Sequence, residues 1–202
     1  MESSARAALA ARLRFGMRLV AISGSLRARS SNGELLRALA RVAAPSIDVA
    51  MYEGLAELPH FNPDLDQEGM ILPPAVQHLR RTIGGADGLV ISSPEYAHGV
   101  PGSLKNALDW LVSGPEMVYK PIALLNPSPR SVHAQASLAE TLRTMSTTLV
   151  EGACIALPIA GRGLDADGIL ADADLRARLE GVLAAMRGAT APRLGSPLVQ
   201  HQ

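Results

Sequence analysis

The sequence is poor in cysteine and has no long apolar run and no excess of either charge, and each of these shortages excludes a class of protein. One cysteine, Cys154, in 202 residues cannot build a disulfide framework or a structural zinc site. Basic and acidic residues number 19 each, and no block of like charge predicts a nucleic-acid or anionic-membrane surface. No apolar run approaches the roughly 20 residues of a membrane span, and no secretory signal precedes the first strand. These shortages favour a protein of the reducing cytoplasm that acts on small molecules.

Apolar residues, by contrast, make up 48% of the chain, enough for one domain with a substantial core. From Met17 onwards, apolar segments alternate between strand and helix periodicity, which is typical of strand-helix-strand units and a parallel sheet covered on both faces. The pattern predicts five such rounds. Their strands lie at 19–22, 47–52, 89–91, 121–125 and 154–157, so Cys154 is expected in a buried strand.

Apolar residues at helical spacing predict the helices between these strands. The fourth predicted helix is lined by Leu138, Leu142, Met145 and Leu149, and the last by Leu175, Leu179, Val182, Leu183 and Met186. The Gly- and Asp-rich stretch 161–168 is predicted to be a loop. Residues 53–72 hold prolines and acids without clear periodicity, so they are expected to form a binding loop or part of an interface.

The first sixteen residues contain three arginines and one acid, and they have three interpretations. They could be a short amphipathic arm, an extension upstream of a natural start at Met17, or an organelle transit segment. We favour the extension, because the first strand is complete from Met17. The predicted organisation is a disordered extension at 1–16, one domain at 17–190 and a loose tail at 191–202.

The stretch LVISSPEYAHGVPGSLKNALDW, residues 89–110, passes from a buried strand through a proline-glycine loop into a helix. Pro94 and Pro101 bracket a turn that can continue neither element. In open parallel sheets, ligands lie beyond the carboxyl ends of the strands, where the strand order reverses. The stretch is therefore predicted to be a binding site. The alternative is a plain connection that happens to hold two prolines.

A second stretch with groups suited to ligand binding, SGSLRARSSN at residues 23–32, follows the first strand. Backbone N–H groups at the start of the next helix, the hydroxyls of Ser25 and Ser30, and the guanidinium of Arg27 could converge there on an anion. The alternative is ordinary helix capping by Ser30 or Ser31 beside solvated arginines. The stretch matches neither the glycine-rich dinucleotide fingerprint nor the lysine-bearing phosphate loop.

Taken together, the two stretches resemble the NADPH-dependent FMN reductases of flavodoxin-like fold, a family that includes quinone, chromate and azo-dye reductases. The resemblance covers residues 18–160. The family's phosphate-loop motif Gly-Ser-x-Arg-x-x-Ser-x-Asn falls on Gly24, Ser25, Arg27, Ser30 and Asn32. Its second motif, Pro-Glu-Tyr followed by Pro-Gly-x-Leu-Lys-Asn-Ala-x-Asp-Trp, falls on residues 94–96 and 101–110.

The resemblance implies an α/β fold, a flavodoxin-like three-layer sandwich around a five-stranded parallel sheet of order 2-1-3-4-5. It also implies FMN and NADPH as cofactors, with no catalytic side chain, because the N5 atom of the flavin carries the chemistry. The implied flavin contacts are Ser25, Arg27, Ser30 and Asn32 at the phosphate and Pro94, Glu95 and Tyr96 at the ring. The helix that starts at Pro101 would lie beside a subunit interface, so a homodimer or homotetramer is expected.

The chain departs from the family in the loop after the fourth strand. Relatives carry paired glycines there, whereas this chain reads NPSPRSVHAQA over 126–136. Ser128, Arg130 and Ser131 stand near the glycine positions. Ser128 is therefore expected beside the flavin, and Arg130 is a candidate for contact with a nicotinamide phosphate. The acceptor of better-known relatives cannot be transferred to this chain.

The remaining polar residues in these stretches have mostly structural interpretations. His98 and His133 have no His, Cys or Asp cluster at metal spacing, so they are interpreted as loop or helix-start residues and no metal is assigned. Tyr96 and His98 remain candidates for contact with NADPH or substrate. Lys105 and Asp109, four apart on a helix, predict a surface ion pair, and Trp110 is expected in the core or an interface.

The predicted function is an oxidoreductase that uses FMN to pass two electrons from NADPH to a quinone, an azo compound, a metal oxyanion or free flavin. One alternative is a flavodoxin-type electron carrier, and another is a flavin-binding redox sensor. Carriers commonly dock on their partners through a surface of one charge sign. The zero formal charge of this chain favours the reductase.

Overall fold

The computed structural model describes residues 16–190, so the predictions for 1–15 and 191–202 lie outside the described residues. Strands and helices alternate along the chain. The strands are β1 (Arg18–Ser23), β2 (Asp48–Tyr52), β3 (Gly88–Ser92), β4 (Pro121–Asn126), β5 (Thr148–Leu149) and β6 (Ile155–Ala156). The helices are α1 (Ser31–Ala43), α2 (Pro74–Gly84), α3 (Gly102–Asp109), α4 (Val132–Thr144), α5 (Ala166–Ala171) and α6 (Ala173–Thr190).

The strands form a parallel sheet of order β2-β1-β3-β4-β5, and β6 pairs with the end of β4. This confirms the predicted strand order, although the fifth strand is split into β5 and β6. Ile22 of β1 lies between Tyr52 of β2 and Ile91 of β3. Because the order reverses between β1 and β3, the loops after these two strands leave the sheet side by side.

Side chains that alternate along each strand build one core on each face of the sheet. Leu19 and Ala21 of β1 pack with α1 and α6 on one face. Val20 and Ile22 pack with α2 and α3 on the other. All five residues of β3 are buried, as the sequence predicts for a strand covered on both faces. Each Leu or Ile buried in this way contributes about 1.5–3 kcal/mol to folding.

The segment after β2 is tied to α3 and α2 by side chains. Two short 3-10 helices occur in it, Gly54–Glu57 and Pro63–Leu65. The indole Nε1 of Trp110 donates a hydrogen bond to the carbonyl oxygen of Pro59 at 2.8 Å, and the ring of Phe61 meets the indole edge-on at 5.1 Å. Arg80 of α2 pairs with Asp66 at 2.8 Å. These bonds hold a long connection whose own regular structure is limited to the two short 3-10 helices.

Two sequence expectations about helix ends are wrong. Leu149 was expected on the fourth helix, but α4 ends at Thr144 and Leu149 lies in β5. The chain turns out of the helix at Ser146, whose φ of 58° cannot continue it. Part of the stretch 161–168, expected to be a loop, begins α5, because Asp165 caps that helix by accepting a hydrogen bond from Gly168 N at 2.8 Å.

The expectation that Cys154 lies in a buried strand is also wrong. Cys154 is exposed and stands just before β6, which has two residues instead of four. β6 pairs only with Leu125 and Asn126, at the edge of the sheet. An edge strand leaves one side uncovered, so an apolar run there does not imply burial.

Two smaller expectations are confirmed. Lys105 and Asp109 form an ion pair at 2.5 Å on α3, and Trp110 is fully buried. Within residues 16–190, none of the helices combines the length and the apolar character needed to cross a bilayer.

Candidate functional site

The loops after β1 and β3 are joined by backbone and side-chain hydrogen bonds. Gly24 N donates to Ser92 O at 2.8 Å, and the Ser92 hydroxyl donates to Asn32 Oδ1 at 2.9 Å. A Cβ at position 24 would lie 2.6 Å from Ser93 Oγ and 3.1 Å from Ser93 Cβ, so any residue larger than glycine would force Ser93 to move. The two loops therefore pack closely at Gly24.

Asn32, which the family resemblance places among the phosphate ligands, uses its side-chain oxygen for this junction. Asn32 is 6% exposed and Ser92 is fully buried. The bond joins the first turn of α1 to the end of β3, across the reversal in strand order. In this structure Asn32 fixes the position of the loop on which the other predicted ligands lie.

The loop of residues 24–32, here called the serine-arginine loop, lines a cavity of about 290 Å³. Ser25, Arg27 and Ser30, all predicted from the sequence, face this cavity together. Ser30 Oγ caps α1 by accepting a hydrogen bond from Gly33 N at 3.1 Å, so the capping interpretation is confirmed. Capping uses one acceptor position and leaves the O–H available as a donor, so it does not exclude a role in anion binding.

Arg37 also lines this cavity and is not among the residues predicted from the sequence. It lies over Gly33, one helical turn earlier, and bonds Glu34 at 2.6 Å. That hydrogen bond is the main reason that the pKa of Glu34 lies below its usual range and that the pKa of Arg37 lies above its own. The sequence could have indicated Arg37, because it lies four residues after Gly33 and residues four apart share a helix face.

The end of β2 forms the opposite wall of the cavity. Tyr52 and Glu53 lie there. The hydroxyl of Tyr52 is buried and has no hydrogen-bond partner within the described part of the chain. Burial raises the pKa of Tyr52 to about 12, so the phenol stays protonated. Any hydrogen bond that it forms is therefore made by a neutral hydroxyl group. The periodicity of β2 gave no reason to separate Tyr52 from an ordinary core residue.

The loop after β3 is a tight turn closed by Tyr96 and Gly99. Tyr96 N donates to Gly99 O at 3.1 Å, and Gly99 N donates to Tyr96 O at 2.9 Å. The two central residues, Ala97 and His98, have φ of 48° and 61°. Residues with a Cβ rarely adopt this left-handed conformation. Tyr96 is 52% exposed beside the turn, so its ring is available to a ligand.

Two contacts join this turn to the start of α4. The carboxylate of Glu95 accepts a hydrogen bond from Ala134 N at 2.8 Å. The rings of His98 and His133 stack with centroids 4.4 Å apart and planes at 22°. The sequence predicts His98 and His133 as loop or helix-start residues and His98 also as a candidate contact for NADPH or substrate. Their pairing depends on a long-range approach that local pattern cannot show.

The loop after β4, residues 127–131, completes this edge of the sheet. Asn126 Oδ1 accepts a hydrogen bond from Ser128 N at 3.0 Å, and Ser128 Oγ accepts one from Arg130 N at 3.3 Å. The side chain of Arg130 is exposed. Among residues 16–190, no group of three His, Cys, Asp or Glu side chains is arranged to hold a metal ion.

Cavity size alone does not locate the site. A larger cavity of about 580 Å³ lies between α1 and α6. It is lined mostly by apolar side chains such as Val42, Ile47 and Leu183. It borders neither the serine-arginine loop nor the turn after β3, whereas the smaller cavity brings hydroxyl and guanidinium groups together between the serine-arginine loop and the end of β2.

This combination defines a class of protein, the flavodoxin-like proteins that bind a flavin mononucleotide. The hydroxyls of Ser25 and Ser30 and the guanidinium groups of Arg27 and Arg37 suit a phosphate dianion. The chain belongs to the NADPH-dependent FMN reductase family, whose sequence profile matches residues 17–161. Membership confirms FMN and a nicotinamide dinucleotide as the cofactors expected from the sequence.

Individual relatives agree with this assignment. A quinone reductase of Escherichia coli is 39% identical over 114 residues, which cover 55% of this chain and 60% of that protein. A NAD(P)H-dependent FMN reductase of Pseudomonas aeruginosa is 31% identical over 85% of this chain and 94% of its own length. The flavoenzyme NAD(P)H:(acceptor) oxidoreductase FerB of Paracoccus denitrificans matches with a TM-score of 0.68 and 25% identity, over 86% of this chain and 98% of its own. The match to the E. coli protein thus spans about three fifths of that relative's length.

Proposed function

We propose that this protein is an FMN-dependent oxidoreductase that passes two electrons from NADPH to a small acceptor. The acceptor would be a quinone, an azo compound, a metal oxyanion or free flavin. The observation that carries the proposal is the junction of the serine-arginine loop with the end of β3, at the strand-order reversal. Bound FMN supplies the electron chemistry. The protein therefore needs to bind, orient and enclose it.

The serine-arginine loop would hold the phosphate. Ser25 and Ser30 would donate hydroxyl hydrogen bonds, and Arg27 would add a charge-assisted bond. Arg27 is exposed, so water screens part of its contribution. Asn32 would act through Ser92, by keeping the loop in register with the end of β3.

The turn after β3 would support the ring. Pro94 stiffens its entry, and the bond from Ala134 N to Glu95 fixes it against α4. Tyr96 would present an aromatic body with a polar tip to the half-exposed side of the ring. Ser128, held by Asn126, would close the site from the loop after β4.

Nicotinamide and acceptor would enter where the rim is exposed. Tyr96, His98 and Arg130 are the candidate contacts there. The exposed guanidinium of Arg130 suits the 2′-phosphate that distinguishes NADPH from NADH. Because one rim would serve both substrates, the first product must leave before the second substrate binds.

The proposal includes a homodimer or homotetramer in the cytoplasm. Three exposed apolar side chains next to α2 and α3 support a subunit interface: Met70 at 50%, Ile71 at 89% and Val112 at 64% exposure. Large apolar groups that are exposed together commonly mark an interaction surface. A free and exposed Cys154 is compatible with a reducing compartment.

Anaerobic mixing of the FMN-loaded protein with NADPH tests the proposal. The visible absorbance of the oxidised flavin should fall in one two-electron step, and a simple quinone should restore it. In steady state, double-reciprocal plots should be parallel, as expected when one substrate leaves before the other binds. The same protein mixed with quinone alone is the control. If neither NADPH nor NADH bleaches the flavin at a useful rate, the reductase assignment is wrong and an electron carrier becomes the better assignment.

A further inference from the structure

The loop after β4, residues 127–131, keeps no main-chain hydrogen-bond donor free for a ligand. Pro127 and Pro129 have no backbone N–H. The other three N–H groups have acceptors in the loop or beside it: Ser128 N donates to Asn126 Oδ1 at 3.0 Å, Arg130 N to Ser128 Oγ at 3.3 Å and Ser131 N to Ser128 O at 3.1 Å. All five residues belong to the described part of the chain, so the donors of this loop are fully accounted for.

The loop is also held from behind, which keeps these N–H groups in place. The side-chain nitrogen of Asn126, a residue 8% exposed, donates to Ser131 O at 3.4 Å. The carbonyl oxygen of Pro127 accepts hydrogen bonds from Ile159 N at 3.0 Å and Ala160 N at 2.9 Å. Turning Ser128 N towards a ligand would leave the nearly buried amide oxygen of Asn126 without its donor, which is unfavourable. The loop should therefore keep this conformation when a ligand binds.

The loop borders the part of the sheet edge where the flavin ring is proposed to lie. β3 and β4 are neighbours, and the last residues of their register are Ser92 and Leu125. The turn after β3 is bonded to the start of α4, directly beyond the loop, through Glu95 and Ala134 N at 2.8 Å. The loop therefore stands beside the turn that would support the ring. This placement of the ring rests on the proposed function.

Reduction of a flavin adds two electrons to its ring, so the oxygen and nitrogen acceptors of the ring become more negative. Donors that face the ring therefore bind the reduced form more tightly than the oxidised form, because hydrogen bonds to charged acceptors are the stronger ones. The phosphate does not change on reduction, so the serine-arginine loop would hold both forms equally. The ratio of the two dissociation constants sets the midpoint potential, with about 30 mV for each tenfold change in a two-electron couple.

We infer that Pro127 and Pro129 lower the midpoint potential of bound FMN, because they withhold main-chain hydrogen bonds from the reduced ring. The hydroxyl of Ser128 keeps its own O–H as a side-chain donor, and the prolines do not affect it. A lower potential makes the reduced flavin a stronger electron donor. Both electrons pass to the acceptor and the ring returns to its oxidised form, so the acceptors that the protein can reduce extend to compounds of low reduction potential.

Pro127→Ala and Pro129→Ala test the inference, because each restores one backbone N–H and adds little flexibility. The midpoint potential of bound FMN is measured against a dye of known potential, while xanthine and xanthine oxidase slowly reduce both. At least one variant should bind reduced FMN about three- to tenfold more tightly relative to oxidised FMN, which corresponds to a rise of about 14–30 mV. The dissociation constant of oxidised FMN should stay nearly unchanged.

Pro115→Ala is the matched control, because Pro115 is exposed and precedes β4, at the opposite end of that strand from the loop. It should keep the midpoint potential of the parent protein. Melting temperatures show whether each variant is folded, and the exposed Pro129 provides the test if replacement of the buried Pro127 prevents folding.

The inference is overturned if the loop variants keep the potential of the parent, or if Pro115→Ala raises it as much as they do. Failure of the proposed function is distinguishable from this result. It appears as absent reduction of the flavin by NADPH, whereas the potential is measured with electrons from xanthine and needs no nicotinamide.

Discussion

The bond between Ser92 and Asn32 allows a quantitative test of how the two loops are joined. Asn32→Ala leaves the hydroxyl of Ser92, which is fully buried, without its acceptor 2.9 Å away. An unsatisfied buried polar group costs about 1–3 kcal/mol, so this substitution should lower the free energy of unfolding by that amount. Ser92→Ala should have a similar effect, because it orphans the buried amide oxygen instead.

The double variant Asn32→Ala with Ser92→Ala removes both partners, so its loss of stability should be smaller than the sum of the two single losses. Urea unfolding of the flavin-free protein, followed by circular dichroism, measures all three variants. We expect a coupling energy of about 1 kcal/mol, above the roughly 0.3–0.5 kcal/mol error of additivity. Additive losses would refute the reasoning.

The same variants show whether Asn32 touches the cofactor. If Asn32 acts only through Ser92, both single substitutions should weaken FMN binding to a similar degree. If Asn32→Ala weakens FMN and Ser92→Ala does not, then Asn32 contacts the phosphate directly, as the family resemblance implies. A titration of the flavin-free protein with FMN distinguishes the two cases.

Four further predictions follow from the site and its surroundings. Arg27→Ala should weaken FMN by about 1 kcal/mol, a small loss because Arg27 is exposed; Arg29→Ala is the matched control, and equal dissociation constants for both would remove Arg27 from the site. Arg130→Ala should reduce the preference for NADPH over NADH, because a charge-assisted contact is lost only with NADPH; an unchanged ratio of kcat/KM values would argue against that contact. Removal of residues 1–16 should leave the melting temperature and FMN affinity nearly unchanged, and a large fall in either would mean that the segment packs on the domain. The pKa of Glu34 lies below its usual 4.5 because of its hydrogen bond to Arg37, so the stability that Glu34 contributes is present above about that pH and is lost as the pH falls through the folded-state pKa. Glu34→Gln should therefore reduce the loss of stability at acid pH, measured by urea unfolding at a series of pH values. The same loss of stability in the variant and the parent protein at acid pH would contradict this assignment.

The sequence was sufficient for the parts of the fold that depend on local pattern. The buried run at β3 and the alternating helices required both faces of a sheet to be covered, and the family resemblance supplied the strand order. The expectation for Leu149 failed because helical spacing continued past the point where Ser146 turns the chain. The expectation for Cys154 failed because an apolar run does not reveal that its strand is short and lies at an edge.

In the candidate site, too, the residues within one loop could be predicted from the sequence, and the contacts between loops could not. Ser25, Arg27 and Ser30 are contiguous with a helix start, so sequence alone could place them on one loop. The partner of Asn32 is 60 residues away in sequence, and the stack of His98 on His133 joins two separate loops. Such contacts depend on tertiary packing, and a single sequence carries no signal for them.

The burial of Trp110 has a practical consequence for studying the protein. It is the one tryptophan in the chain, it is fully shielded from water, and its Nε1 is bonded to Pro59 in the long connection after β2. Its fluorescence therefore reports on a single location, with blue-shifted emission while the connection stays docked and a red shift once water reaches the indole. A red shift that precedes the loss of helical circular dichroism would show that this connection detaches before the domain unfolds.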